Sequence, residues 1–466
     1  MAPAAATELS EDELRVAVVG SGPAGFYAAG ALLAADPPAE VDLFERLPTP
    51  WGLVRLGVAP DHPKLKEVSR AFERIALRPG FRFFGNVEVG RDVRHEELVR
   101  LYDAVVYTVG AQTDRRLGIP GEDLPGSWSA TELVAWYNGH PDFQHLDFDL
   151  SGDRAVVVGA GNVALDVLRM LALTREELAP TDATDASIEA IAGSALRELV
   201  MLARRGPAQA AFTTPELKEL GELAGADVFA DPAQLELDPV SEASLEHDTN
   251  ARRNLEVLRE FAAREPSGKP KTIRLRFCVS PVAIVGAERV EAVEVVRNRL
   301  VDDGRGRLRA VPREERETIP CGLVFRSVGY HGVPLPEIPF DEQRGTLPND
   351  AGRVLDASGD AIAGVYCAGW IKRGPTGVIG TNKKDATETV QLLLEDAREG
   401  RLTRSAAPPD EIVELLAERD AEAVLYTGWE AIDALERSRG SELDRPRVKL
   451  CSWDALLAAA RAAART

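Results

Sequence analysis

At 466 residues the chain is too long for one hydrophobic core and calls for two or three domains. Its 45% apolar content is that of a globular protein, and no apolar run reaches the length of a membrane span. The formal net charge of −20 argues against a nucleic-acid partner, because a phosphate backbone would be repelled at long range.

The first fourteen residues carry Glu8, Glu11, Asp12 and Glu13 and no basic side chain. That fits neither an arginine-rich transit peptide nor an apolar secretion signal, so the expectation is a cytoplasmic protein with a disordered extension over residues 1–13. The first strand, Val16-Ala17-Val18-Val19, runs into Gly20-Ser21-Gly22-Pro23-Ala24-Gly25, which opens a helix over 26–35. A second strand, Val41-Asp42-Leu43-Phe44, ends at Glu45, twenty residues past Gly25. In a Rossmann unit such glycines let the backbone approach a pyrophosphate at a helix N-terminus, and the acid accepts hydrogen bonds from ribose hydroxyls. A Pro- and Gly-rich loop over 47–63 follows, then a helix over 64–77, strands over 81–89 and 103–109, and a helical patch over 129–138.

The pattern then repeats with one change. Ala155-Val156-Val157-Val158 leads into Gly159-Ala160-Gly161-Asn162-Val163-Ala164, and the longer gap that follows fits a helical insertion over 168–196. The next strand, Leu199-Val200-Met201-Leu202, ends in Arg204 and Arg205 instead of an acid. Arginine at that place pairs with a 2′-phosphate. The sequence therefore predicts one site for an adenine dinucleotide with a free ribose and one for NADP.

Between 250 and 276 the charge balance reverses. Arg252, Arg253, Arg259, Arg264, Lys269, Lys271, Arg274 and Arg276 face only Glu256, Glu260 and Glu265. On a helix, Leu255, Leu258 and Phe261 share the buried side while Arg252, Arg253 and Arg259 turn outward with the glutamates. The stretch 323–329 (LVFRSVG) echoes 105–110 (VVYTVG), each an apolar strand ending in glycine where the chain passes between domains. A strand at 365–368 and Gly374-Pro375-Thr376-Gly377 lead into a helix reaching about 397, followed by a linker over 401–409 and an amphipathic C-terminal appendix. The expected architecture is α/β with two Rossmann-like domains, the second inserted into the first: 14–113 and 339–466 around 114–338. Cys278, Cys321, Cys367 and Cys451 form no CxxC pair and the six histidines no HxH or HxxxH spacing, so neither a local redox disulfide nor a metal site is expected.

Longer strings carry more information than the glycines. GSGPAGFYAA at 20–29, Pro50-Trp51-Gly52-Leu53-Val54-Arg55, Gly57 to Pro63, Gly85 to Gly90, Gly161 to Asp166, Arg204-Arg205-Gly206-Pro207 and Gly369 to Ile379 resemble the adrenodoxin-reductase-like ferredoxin–NADP+ reductases. The acidic start stands where mitochondrial members have a targeting sequence. The resemblance implies FAD in the first domain, NADPH in the second and a ferredoxin-type iron–sulfur acceptor, with hydride passing in as a pair of electrons and leaving singly. It implies FAD contacts at Ala24, Glu45, Leu53, Val89, Trp370, Gly377, Val378 and Ile379, with Gly20, Gly22 and Gly25 shaping the loop. It implies NADP contacts at Ala160, Gly161, Asn162, Val163, Arg204, Arg205, Glu216 and Gly377. Trp370 alone reads as core packing, and with the resemblance as a cofactor contact. His62 reads either as a proton relay with Asp166 or as a solvated surface histidine. Arg252, Arg253 and Arg259 are the expected docking face for an acidic ferredoxin. A monooxygenase or another reductase of the same architecture is the alternative.

Overall fold

A computed structural model describes residues 14–304, 308–377 and 379–463; the expectations for residues 1–13 and for Val378 lie outside the described residues. Two parallel sheets organise the molecule. The first contains, side by side, Ala361–Cys367, Ala104–Tyr107, Arg15–Val19, Glu40–Phe44 and Phe81–Phe84, all parallel, with Arg353–Leu355 and Asn349–Asp350 added antiparallel at one edge. The second runs Ser127–Ser129, Leu323–Arg326, Arg154–Val158, Glu198–Ala203, Lys271–Phe277 and Ala226–Ala230, parallel throughout. Val16, Ala17 and Val18 are fully buried, as are Ala155, Val156 and Val157. Helices cover both faces of such sheets, which is why these strands read as unbroken apolar runs and not as alternating ones.

The chain leaves the first sheet through Thr113–Asp114 and returns through Tyr330–His331, and these two short strands pair antiparallel with each other. The segment between the fifth and sixth chain-order strands of the second sheet forms a three-stranded antiparallel sheet, Val279–Val285, Ala292–Asp302 and Leu308–Pro320, that sequence reading does not anticipate.

Several elements are shorter than expected. The strand predicted over 81–89 stops at Phe84, because Gly85 pairs with Val424 and Asn86 takes a φ of 57°. The helix predicted over 64–77 is two pieces, Pro63–Lys66 and Ser69–Ala76, joined by turns that bond Glu67 N to Lys64 O and Arg70 N to Glu67 O. The insertion over 168–196 is helical in three parts, Asn162–Ala172, Arg175–Leu178 and Asp185–Ala192. Thr174 and Thr184 cap the last two by accepting from Glu177 N and Ser187 N. At the far end, helices Tyr426–Ser441 and Trp453–Ala463 pack into the first core. Trp429 and Ile432 are buried against Trp51 and its neighbours, so the amphipathic appendix is part of that core.

Candidate dinucleotide sites and the contact between them

Both glycine loops are built by the same steric demand. Gly20 has a φ of 103°, and a Cβ there would sit 2.8 Å from the Thr108 carbonyl oxygen; one on Gly25 would strike the Gly20 carbonyl. In the second loop a Cβ on Gly159, whose φ is 146°, would strike the Ser327 carbonyl. Gly22 and Gly161, the residues just before helices Pro23–Leu32 and Asn162–Ala172, differ: nothing lies within 4 Å of an added Cβ at either. Each loop is thus tight against its own sheet and open at the helix N-terminus, where backbone N–H groups and the helix dipole favour an anionic group.

Around the first loop, Glu45 accepts from Ser21 N at 3.1 Å, Ser21 Oγ at 2.6 Å and Leu47 N at 3.0 Å, which fixes its carboxylate beside the glycine turn. Trp51 N donates to Ser21 O, and a Cβ on Gly52 would lie 3.0 Å from Gly22 Cα, so the 51–56 segment is held against the loop. Ala24 and Val89 are buried while Leu53 is exposed. Gly369, at φ 78°, brings a third piece: its Cβ would lie 2.6 Å from that of Ala24, and its N–H donates to Asp385. Gly377 has a φ of 83°, and Ile379 begins the helix Ile379–Arg398, which packs along Pro23–Leu32. The Trp370 ring leans on Tyr330 with centroids 5.2 Å apart, and the indole N–H groups of Trp51 and Trp370 are buried without a hydrogen-bond partner among the described residues.

In the second loop Ala160 O accepts from Ala211 N, and Asn162 Oδ1 accepts from Thr213 N at 2.8 Å; Ala160, Gly161, Asn162 and Val163 are all half-buried. Arg204 and Arg205 follow Glu198–Ala203 with exposed side chains and no ion pair among the described residues. The backbone beneath them is pinned, Arg204 O by Asn298 Nδ2 and Arg205 O by Cys278 N. Burial, and then repulsion from Arg204, lowers the Arg205 pKa. Two adjacent guanidinium groups without a carboxylate are a cradle for an anion with two negative charges.

The loops meet through a cluster whose hub sequence reading missed. Arg169, one turn after Asp166, is almost wholly buried and donates Nε to Asp61 at 2.6 Å and Nη2 to Asp166 at 2.7 Å; its Nη1 lies 3.2 Å from Glu216. His62 does not bond to Asp166. Its Nε2 lies 2.7 Å from Glu219 Oε2, and its Nδ1 3.5 Å from Arg169 Nη2. Four carboxyl groups thus surround one obligate cation, and ionising all of them in a buried place is costly. Burial pushes the Asp166 carboxyl above its ordinary value despite Arg169, and burial followed by repulsion from Asp166 raises Glu216. Asp61, half-buried, is held low by its hydrogen bonds and attraction to Arg169 despite its partial burial. His62, Glu216 and Glu219 bring ligand-type atoms within 4.8 Å of one another, but the Arg169 guanidinium already supplies positive charge there. Asp61 beside His62, and Arg169 at i+3 from Asp166, were the only signals in the sequence.

The helix Thr249–Ala262 buries Leu255, Leu258 and Phe261 as its spacing predicts, with Ala251, Asn254 and Val257 beside them. Arg252, Arg253 and Arg259 are exposed with Glu256 and Glu260, and these three arginines have no ion pair among the described residues. The rest of the basic stretch is committed elsewhere: Lys269 donates to Leu223 O, Lys271 to Leu171 O, Arg274 pairs with Glu198 and Arg276 with Glu317. Among the described residues no helix is long and apolar enough to cross a membrane.

Residues 14–179 match the pyridine nucleotide-disulphide oxidoreductase family. Over 95% of this chain and 98% of the relative, the sequence is 50% identical to the NADPH-ferredoxin reductase FprA of Mycobacterium tuberculosis. It is 41% identical to the mitochondrial NADPH:adrenodoxin oxidoreductase of Arabidopsis thaliana, over 97% of this chain and 96% of that one. The solved structure of M. tuberculosis FprA in complex with NADPH superposes with a TM-score of 0.92, covering 96% of this chain and all of that one. The open glycine loops, the acid-ended and arginine-ended strands and these end-to-end likenesses agree: the chain belongs to the NADPH–ferredoxin reductase family.

Proposed function

We propose that this protein passes electrons from NADPH through bound FAD to a ferredoxin-type iron–sulfur protein. The observation that carries the reading is the contrast between the two strand ends, Glu45 hydrogen-bonded into the first glycine loop and Arg204-Arg205 unpaired beside the second. The open space at Gly22 and Gly161 and the unpartnered indole N–H of Trp370 are consistent with two dinucleotides. Bound FAD supplies the conversion between two-electron and one-electron transfer.

The remaining work falls to the chain's own groups. Arg204 and Arg205 hold the 2′-phosphate of NADPH, while Gly161 and the helix Asn162–Ala172 receive its pyrophosphate, with Ala160, Asn162 and Val163 lining the turn. Gly20, Gly22, Ala24 and Gly25 do the same for FAD, Glu45 accepts from its ribose, and Leu53 and Val89 pack against it. Trp370, backed by Tyr330, would cover the redox site, and the helix Ile379–Arg398 that begins just after Gly377 would direct its N-terminus there, where partial positive charge favours an anionic group. His62, Glu219, Arg169, Asp166 and Glu216 form a hydrogen-bonded cluster around buried Arg169 that would position proton-bearing groups at the junction. Arg252, Arg253 and Arg259 form the docking face for the acidic iron–sulfur partner. Distant acids are screened there, because the Debye length at physiological salt is about 8 Å.

Anaerobic titration tests the whole reading. NADPH should bleach the yellow purified protein, and cytochrome c reduction should accelerate when ferredoxin is added. A colourless protein that FAD cannot reconstitute, or a cytochrome c rate indifferent to ferredoxin, would overturn it.

A further inference from the structure

Behind the segment that touches the first glycine loop lies a cavity of about 230 Å³ that neither dinucleotide reading uses. Leu53 and Arg55 belong to the same short helix, two positions and about 200° apart, so the exposed Leu53 and the buried Arg55 face opposite ways. Arg55 lines the cavity and Leu53 does not; the glycine-loop residues, Arg204 and Arg205 are absent from its walls as well. The walls come from distant parts of the chain: Arg55 and Lys66 from the first unit, Asp182 from the helical insertion, and Arg447 and Lys449 from the stretch before the last helix.

The charges here do not balance. Lys66 Nζ lies 2.6 Å from Asp182 Oδ1 and Lys449 Nζ 3.2 Å from Asp182 Oδ2, so two ammonium groups share one carboxylate. They also share one amide oxygen, that of Asn138. Arg55 grips Glu436 with both terminal nitrogens, at 2.8 and 2.6 Å, and Arg447 reaches Asp433 and the same Glu436 through Nη1 alone. Among the described residues these four cations, Arg55, Lys66, Arg447 and Lys449, pair with three acids, Asp182, Asp433 and Glu436, and Asp433 also serves Arg437. Lys449 is nearly inaccessible, with 1% of its side chain exposed. Donors are in surplus too. Nε of Arg55 and Nε1 of Trp51, both on residues of this wall, are buried without a partner among the described residues. At the rim, Arg70 and Arg437 stand exposed; Glu67 lies 3.8 Å from Arg70, while Arg437 pairs with Asp433 at 2.6 Å and lies 3.6 Å from Glu73.

A small cavity walled by surplus cations and by N–H groups lacking acceptors is suited to an anion that offers several oxygens and little bulk. We infer that this cavity is a binding site for a phosphate-type oxyanion, inorganic phosphate or a small phosphate monoester, distinct from both dinucleotide sites. The bound anion would ligate Lys66 and Arg447 together, with Lys449 held behind them by its bonds to Arg55 O, Asn138 Oδ1 and Asp182. It would thereby tie the C-terminal stretch and the helical insertion to the segment that backs the first glycine loop. Burial, and repulsion from Lys66 and Arg55 that acts against the attraction of Asp182, holds Lys449 well below its ordinary ammonium value.

The test is calorimetric titration of the FAD-loaded protein, saturated with NADP+ so that the dinucleotide sites are filled, with inorganic phosphate and in parallel with glycerol 3-phosphate. Sodium chloride of equal ionic strength is the control. One saturable site per chain is expected, weakened at least tenfold in Lys66→Met and severalfold in the rim double variant Arg70→Gln/Arg437→Gln, both of whose side chains are exposed. Tighter binding of the monoester would identify it as the ligand, and tighter binding of phosphate the free ion. Heats that match the chloride control, or a site unaffected by the rim variant and by any folded Lys66→Met protein, would overturn the inference.

Discussion

The two glycine loops of this protein obey one steric rule and then part at one place. In both, the glycine after the strand has no room for a side chain against a neighbouring carbonyl, and the glycine before the helix has nothing in front of it. At the end of the next strand the first unit spends its charged residue on its own loop, Glu45 accepting three protein hydrogen bonds. The second leaves Arg204 and Arg205 without an internal partner. An acceptor already oriented by the protein suits neutral hydroxyls that need placing. A cation pair left uncompensated suits a ligand that brings its own negative charge. On the function proposed above, nucleotide choice would follow from which unit leaves its charge unpaired.

Replacing both Arg204 and Arg205 with Ala is the strongest challenge to that contrast. Each charged hydrogen-bonding group is worth about 1.5–3 kcal/mol, so kcat/KM for NADPH should fall on the order of 10²-fold or more, with NADH little changed. Equal losses with both nucleotides would make the arginines structural.

Arg169→Met attacks the joint between the units. Removing buried Arg169, the shared partner of the half-buried Asp61 and Asp166, should cost about 3–5 kcal/mol of stability, read as a lower denaturation midpoint. A midpoint within error of the parent would show that the hub holds nothing together.

The glycines sharpen the comparison further. Gly25→Ala meets the Gly20 carbonyl and should lose about 1–3 kcal/mol from overpacking. Gly22→Ala and Gly161→Ala meet no protein atom, so they should keep the parent's melting behaviour while weakening FAD and NADPH binding respectively. Melting losses as large as that of Gly25→Ala would contradict the open loops.

A smaller effect separates Asp61 from Asp166 by pH. Asp61 has a depressed pKa in the folded protein. Its contribution is present above the unfolded value of about 3.9 and disappears as pH falls through the folded value. Asp166 has a raised one. Its contribution is complete below the unfolded value and is lost as pH rises through the folded value. Melting curves across pH should show Asp61→Asn losing most at neutral pH and converging on the parent in acid. Asp166→Asn should remove a decline seen in the parent on raising the pH from about 4. Parallel profiles for the two variants would refute the assignment.

The smallest change is expected at the surface. Exchanging Arg252, Arg253 and Arg259 for Gln should raise KM for ferredoxin and flatten the salt dependence of its reduction, leaving NADPH–ferricyanide turnover intact. Parent kinetics at low salt would move the docking face elsewhere.

The sequence by itself determined what depends on neighbours a few residues away. A strand that must turn sharply into a helix needs glycine at the turn, so Gly20, Gly25 and Gly159 announce both loops. The charge that follows each second strand is equally local, as is the buried stripe of Leu255, Leu258 and Phe261. Tertiary structure decided everything that joins residues a hundred or more positions apart. Arg169 meets Asp61 across the two units, and Glu219, unnoticed in sequence, takes the place beside His62 that Asp166 was expected to fill. Gly369 slots against Ala24, and the C-terminal helices enter the first core instead of trailing behind it. Tyr330 behind Trp370 and the four cations around Asp182 and Glu436 have no local signature at all. Steric demands on one turn leave a pattern in adjacent residues, whereas an ion pair or a ring contact asks only that two distant side chains arrive at one place, and only the folded chain specifies that.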